Sequence, residues 1–158
     1  MVDSMKKALV IVMVIIAICL CACSFAKTTP TDEVVASLGE YKSKAVYHNG
    51  RIGDFTDYIK YVYKGVSLVE NDFFERITEG RKEELITYIQ NFEVWVGITK
   101  ENNPDAELVL GYDFDVSFIS DDDYLYICDE SGSFDFSLYK IYFFDMETMT
   151  LYFFYKCM

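Results

Sequence analysis

The sequence predicts an α+β fold, with one or two helices packed on an antiparallel β-sheet of about four strands that ends in a C-terminal β-meander. Two patterns predict it. Apolar residues recur at helical spacing in the middle of the chain, at Phe55, Tyr58, Ile59 and Val62 and again at Leu85, Ile89, Phe92 and Val96. In the last third, the runs Asp123 to Asp129, Leu138 to Asp145 and Leu151 to Lys156 alternate like strands, and the short link from Asp145 to Thr150 makes the last two a hairpin.

The chain begins with a different signal. Lys6 and Lys7 precede an uninterrupted apolar run from Ala8 to Ala22, the length of a signal-peptide h-region rather than a full bilayer span. Leu20-Cys21-Ala22-Cys23 then resembles the bacterial lipobox, in which a branched apolar residue, a tolerant position and a small residue precede the cysteine that receives lipid. The resemblance implies a diacylglyceryl group on Cys23, and two acyl chains at about 0.8 kcal/mol per buried CH₂ anchor stably. It divides the chain into a signal peptide over 1–22, a lipid-anchored tether over 23–40 and a single α+β domain over 41–158. Uncleaved anchoring and ordinary secretion are the alternatives, and Met1 and Met5 are both possible starts.

Within the tether, Asp32 to Leu38 has the makings of a helical turn. Ala45 to Tyr47 reads as a short strand closed by the turn dipeptide Asn49-Gly50. A helix is expected from Asp54, with Asp57 at the capping-box position and Gly65 at its end. Val66 to Val69 and Phe73 to Thr78 lean towards strand. Thr78 is placed to cap the longest helix, with Glu79, Glu83 and Glu84 near its positive end and Gly97 as its stop after about Val96. Asn102-Asn103-Pro104-Asp105 is a turn, and Leu108 to Leu110 and Asp113 to Ile119 read as extended.

A second resemblance rests on Asp54-Phe55-Thr56-Asp57-Tyr58, Phe73-Phe74, Thr78-Glu79, Tyr112-Asp113-Phe114-Asp115 and Tyr142-Phe143-Phe144-Asp145. These segments look like an uncharacterised family of small secreted or lipid-anchored proteins of clostridial-type Gram-positive bacteria. The motifs are hydrophobic rather than catalytic, so the resemblance implies a shared fold and carries over no site.

Composition narrows the classes of function. With a net charge of −12 over 158 residues, the chain repels phosphate backbones and anionic headgroups, so nucleic acid is not an expected partner. Charged partners should be cationic. Cys128 and Cys157 are the two cysteines of the domain, and whether they form a bridge is left open. The single histidine, His48, sits beside Asn49-Gly50 in an expected exposed turn, with no nucleophile marked for a triad. One histidine and two separated cysteines serve zinc poorly, and the glycines form no phosphate loop. No cofactor, metal or catalytic residue is assigned.

Two candidate binding features remain. Asp113, Asp115, Asp121, Asp122, Asp123, Asp129 and Glu130 cluster in the chain, and Asp113 and Asp115 would share a face if extended, as carboxylates for Ca²⁺ could. Tyr126, Tyr142 and Tyr152 would form an open platform for a protein, peptide or glycan if they align across neighbouring strands, although tyrosine also suits any half-buried pleated surface. The expected function is a membrane-anchored, extracytoplasmic, non-enzymatic binding or accessory module on the outer face of a Gram-positive cytoplasmic membrane. An inhibitor or immunity-type protein that binds a cationic partner is the alternative, and a small hydrolase the second.

Overall fold

The computed structural model describes residues 32–51, 54–130 and 136–158. The lipobox, Cys23 and the first half of the tether lie outside them. The chain divides into two compact units at Val35–Ala36. Of the first, only 32–35 are described: Asp32 caps the start of helix α1 (Glu33–Ser37), accepting from the Val34 and Val35 amides at 3.0 and 3.3 Å.

The second unit carries the sheet. Its strands are β1 (Ser43–Arg51), β2 (Asp54–Val62), β3 (Glu75–Arg76), β4 (Tyr124–Asp129), β5 (Leu138–Asp145) and β6 (Thr150–Cys157). They form one six-stranded sheet in the order β1-β2-β6-β5-β4-β3, antiparallel at every pairing. The expected α+β class and C-terminal meander are present, with six strands in place of four. Helices α2 (Glu79–Asn102) and α3 (Glu107–Gly111) and a 3₁₀ turn (Val116–Phe118) complete the described elements.

The expected helix from Asp54 to Gly65 is strand β2. Its stripe of Phe55, Tyr58, Ile59 and Val62 fits a helix by spacing alone, but β2 lies between β1 and β6 and is covered on both sides, so Thr56, Tyr58, Ile59 and Tyr61 are all buried. A strand buried on both faces loses the alternation that would identify it. Its partner β1 runs through Asn49-Gly50 to Arg51, which pairs with Asp54. Gly50 has φ of +128°, and a β-carbon there would collide with the Asp54 carbonyl oxygen and Phe55 Cα, so glycine is required where the hairpin closes.

Helix α2 begins after Thr78, whose backbone is extended as at an N-cap, though its hydroxyl makes no capping bond. Gly97 does not stop it; the helix continues to Asn102 and ends at the Asn103-Pro104 turn. Leu85, Tyr88, Ile89 and Phe92 are buried in one cluster with Leu125, Ile141, Phe143 and Phe154 of the sheet. Burying side chains of this size stabilises by about 1.5–3 kcal/mol each.

On the opposite face of the sheet, Phe144 and Leu151 are fully buried. The segment 63–74 contributes there: the Tyr63 ring lies 5.7 Å from Phe144 and the Phe73 ring 5.6 Å from Tyr126. Asn71 shapes this segment, accepting from the Phe73 and Phe74 amides at 2.9 and 3.4 Å while its own amide donates to the Leu68 carbonyl. Val66 to Val69 is therefore not a strand, and only Glu75–Arg76 of the region 73–78 is one.

Candidate functional site

Residues from three elements meet at one corner of the helix-bearing face. Tyr58 and Lys60 are alternate residues of β2 and so point the same way, and Lys60 pairs with Tyr152 of β6. Over them passes the segment that follows α3. Asp113 there accepts from the Tyr58 hydroxyl at 2.8 Å and from Lys60 Nζ at 2.5 Å. Two residues on, Asp115 caps the 3₁₀ turn by accepting from the Ser117 amide at 2.8 Å.

Between these carboxylates Phe114 turns inward, its ring 5.2 Å from both Tyr152 and Phe154 and 5.5 Å from Phe143. Phe118 lies outside it, 5.7 Å from Phe114 and 6.3 Å from Tyr152, and remains 41% exposed. Leu110 at 72% and Val116 are also exposed on this stretch of chain. The corner therefore shows solvent an apolar surface edged by carboxylates.

Its ionisation is set by burial and hydrogen bonding. Burial, then the bond to Asp113, holds the Tyr58 hydroxyl protonated far above the ordinary tyrosine range. Burial, followed by the charges of Asp145 and Asp113, pushes Tyr152 up to about 12. Hydrogen bonds from Ser117 hold the Asp115 carboxyl below its usual value. At neutral pH the corner presents neutral phenols, the Lys60–Asp113 ion pair and the carboxylate of Asp115.

Of the residues singled out in the sequence, Asp113, Asp115 and Tyr152 come together here. Tyr126 and Tyr142 do not. They pair directly, with rings 5.6 Å apart, but Tyr142 faces Phe153 of β6, which puts Tyr152 one residue out of phase and on the other side of the sheet. Tyr142 is also buried, at 2% exposure. The three tyrosines therefore form no common open platform.

The acidic cluster is dispersed as well. Asp113 and Asp115 lie in irregular chain, not on a strand, and Leu108 to Leu110 is helical. Asp122 meets Arg76, Asp123 accepts from the Ser120 and Met146 amides, the Tyr88 hydroxyl donates to Asp129 at 2.6 Å, and Lys140 reaches Glu130. Among the described residues no group of three His, Cys, Asp or Glu side chains is placed to hold a metal ion. His48 lies within β1, not in a turn, and contacts Asp57 directly across β2. Cys128 on β4 and Cys157 on β6 have β5 between them. Two strand spacings of about 4.8 Å exceed the reach of a disulfide, so no bridge joins them.

Sequence reasoning missed Tyr58, Lys60, Phe114 and Phe118. The available signal was Phe114, Val116 and Phe118 alternating with Asp113, Asp115 and Ser117, which reads as a strand until Asp115 is recognised as a cap.

The fold and this corner define the chain as a mixed α+β protein with an antiparallel six-stranded sheet and an apolar, acid-edged surface. No family model matches the sequence, and neither the curated proteins nor the solved structures contain a match.

Proposed function

We propose that the chain is a non-enzymatic binding or accessory module, held at the outer face of a Gram-positive cytoplasmic membrane by lipid on Cys23, and that it contacts its partner through the corner around Phe118. The observation that carries this reading is the exposure of Leu110, Val116 and Phe118 beside the carboxylates of Asp113 and Asp115. Such a surface suits an apolar partner with cationic groups, whether protein, peptide or glycan, and the net charge of −12 favours its approach. The lipobox-like Leu20-Cys21-Ala22-Cys23 supports the anchor.

The test has two arms on the native protein from membranes. Intact mass and membrane retention are compared between wild type and Cys23→Ala; a diacyl adduct lost in the variant supports the anchor, and an unmodified or uncleaved wild type overturns it. Photo-crosslinking from position 118 on intact cells is then compared with crosslinking from exposed Val69. A discrete adduct from 118 alone supports the corner. Equal labelling, or hydrolysis of peptide, glycan or ester substrates that is lost on changing His48 or Asp113, overturns the reading.

A further inference from the structure

The two edges of the sheet are unequal. β3 closes one side with two residues, both charged, a short edge that discourages further pairing. β1 closes the other with nine residues.

The direction of its hydrogen bonds follows from the ladder. Tyr63 donates to the Met149 carbonyl at 2.9 Å, so Tyr61, Ile59 and Asp57 of β2 bond to β6 while the intervening residues bond to β1. Their β1 partners are Ser43, Ala45, Tyr47 and Asn49. Lys44, Val46 and His48 consequently aim their N–H and C=O groups away from β2. Among the described residues nothing bonds to them there. The side chains of these three are exposed too, whereas Ala45, Tyr47 and Asn49 are half-buried.

The charge along this edge runs against that of the whole protein. Tyr41 to Arg51 contains Lys42, Lys44, His48 and Arg51 and no acidic residue, in a chain with 26 acidic and 14 basic side chains. His48 already has Asp57 beside it. Lys42 and Lys44 meet no carboxylate among the described residues, and Lys44 Nζ lies 5.1 Å from the centre of the Tyr61 ring.

We infer that the open edge of β1 binds an extended acidic peptide segment by strand addition, with a carboxylate opposite Lys44 and an apolar side chain opposite Val46. Main-chain bonds to Lys44, Val46 and His48 supply the register, and alternate side chains supply the selectivity. A second copy of this chain fits poorly. Twofold pairing about Val46 sets Lys44 against His48 and brings two bodies of net charge −12 together. This surface is distinct from the corner around Phe118, and a Phe118→Ser variant is expected to bind the peptide as wild type does.

The experiment titrates the full chain with the synthetic peptide Thr-Glu-Thr-Val-Thr-Glu-Thr and with the same peptide carrying lysine for glutamate. Amide hydrogen exchange is followed residue by residue. The expected result is salt-sensitive binding of the glutamate peptide alone, with protection gained at Lys44, Val46 and His48 but not at Ala45, Tyr47 or Asn49. Lys44→Glu should weaken it about fivefold, as reversal of one cross-strand pair does, and Lys42→Glu serves if that variant does not fold. Absence of binding, equal binding of the lysine peptide, or protection elsewhere overturns the inference. So does protection of the same amides by dimerisation without peptide.

Discussion

The hydroxyl of Tyr58, a fully buried residue at the centre of β2, donates to Asp113 at 2.8 Å across 55 positions of sequence. It ties the segment after α3 to the sheet, and Lys60 holds the other carboxylate oxygen at 2.5 Å. Tyr58→Phe removes the donor but keeps the ring, which is stacked 5.9 Å from Tyr47 and packed 5.3 Å from Phe154. Because Asp113 is largely exposed and water replaces the lost bond, the expected cost is about 1 kcal/mol in urea unfolding. Tyr58→Ala, which also leaves a cavity, should cost about 3–5 kcal/mol. Equal losses in the two variants would mean that packing contributes little at this position.

Alkaline pH should unfold the protein cooperatively. Burial raises the pKa of Tyr58, Tyr63, Tyr88, Tyr112, Tyr139 and Tyr152, the last to about 12. The folded chain therefore keeps protons that the unfolded chain releases near pH 10. The stability this represents is fully present below about pH 10 and is lost as the pH rises through the folded values, since the native state binds more protons. Phenolate absorbance and circular dichroism, followed together from pH 9 to 13, should show these tyrosines ionising as the sheet is lost. Their ionisation within an intact sheet would contradict their burial.

Asp115 gives the opposite sign. Its carboxyl is held low by Ser117, so the cap on the 3₁₀ turn is present above the ordinary aspartate pKa and is lost as the pH falls through the lower folded value. The Ser117 amide resonance should titrate below the ordinary aspartate range, and Asp115→Asn should abolish that transition. A midpoint at or above the free aspartate value would remove the cap from the account.

The strands legible in the sequence are those built of a dense run of aromatic and branched apolar residues beside a short turn: β4, β5, β6 and the Asp145–Thr150 hairpin stand where the pattern places them, although β5 and β6 are buried on both faces. Helix α2 is legible because one apolar stripe meets one sheet. β2 is not, since its apolar residues, spread among Thr56, Asp57 and Lys60, fall at spacings that a helix shares. The platform fails on parity: the sequence marks β5 and β6 as strands, but only their register, Tyr142 opposite Phe153, decides which face Tyr152 takes. The corner depends on contacts such as Tyr58–Asp113 between residues distant in sequence, which no local pattern encodes.

The corner can be perturbed without touching the core. Phe118 is partly exposed and packs edge to face on Phe114 and at a tilt to Tyr152, so Phe118→Ser removes apolar surface at the rim and leaves Phe114 in place. A loss of about 1 kcal/mol or less is expected, because only the covered part of the ring leaves a favourable environment. Differential scanning calorimetry checks it. A loss above about 3 kcal/mol would make Phe118 a core residue and unfit as a contact for a partner.

Two glycines should respond in opposite directions to the same added methyl. Gly97 lies inside α2 with open space where a β-carbon would stand. Gly97→Ala should therefore stabilise the protein by about 1 kcal/mol, the difference in helix propensity between the two residues. Gly111 ends α3 against the face of Tyr47, and a β-carbon there would overlap the ring atoms Cδ1, Cε1 and Cγ. Ring and helix must separate, so Gly111→Ala should destabilise by about 1–3 kcal/mol. If the collision is the cause, pairing Gly111→Ala with Tyr47→Ala should cost less than the sum of the two single changes, because the ring that obstructs the methyl is gone. Strict additivity in urea unfolding would show that the two residues do not meet, and α3 would then have to sit differently against β1.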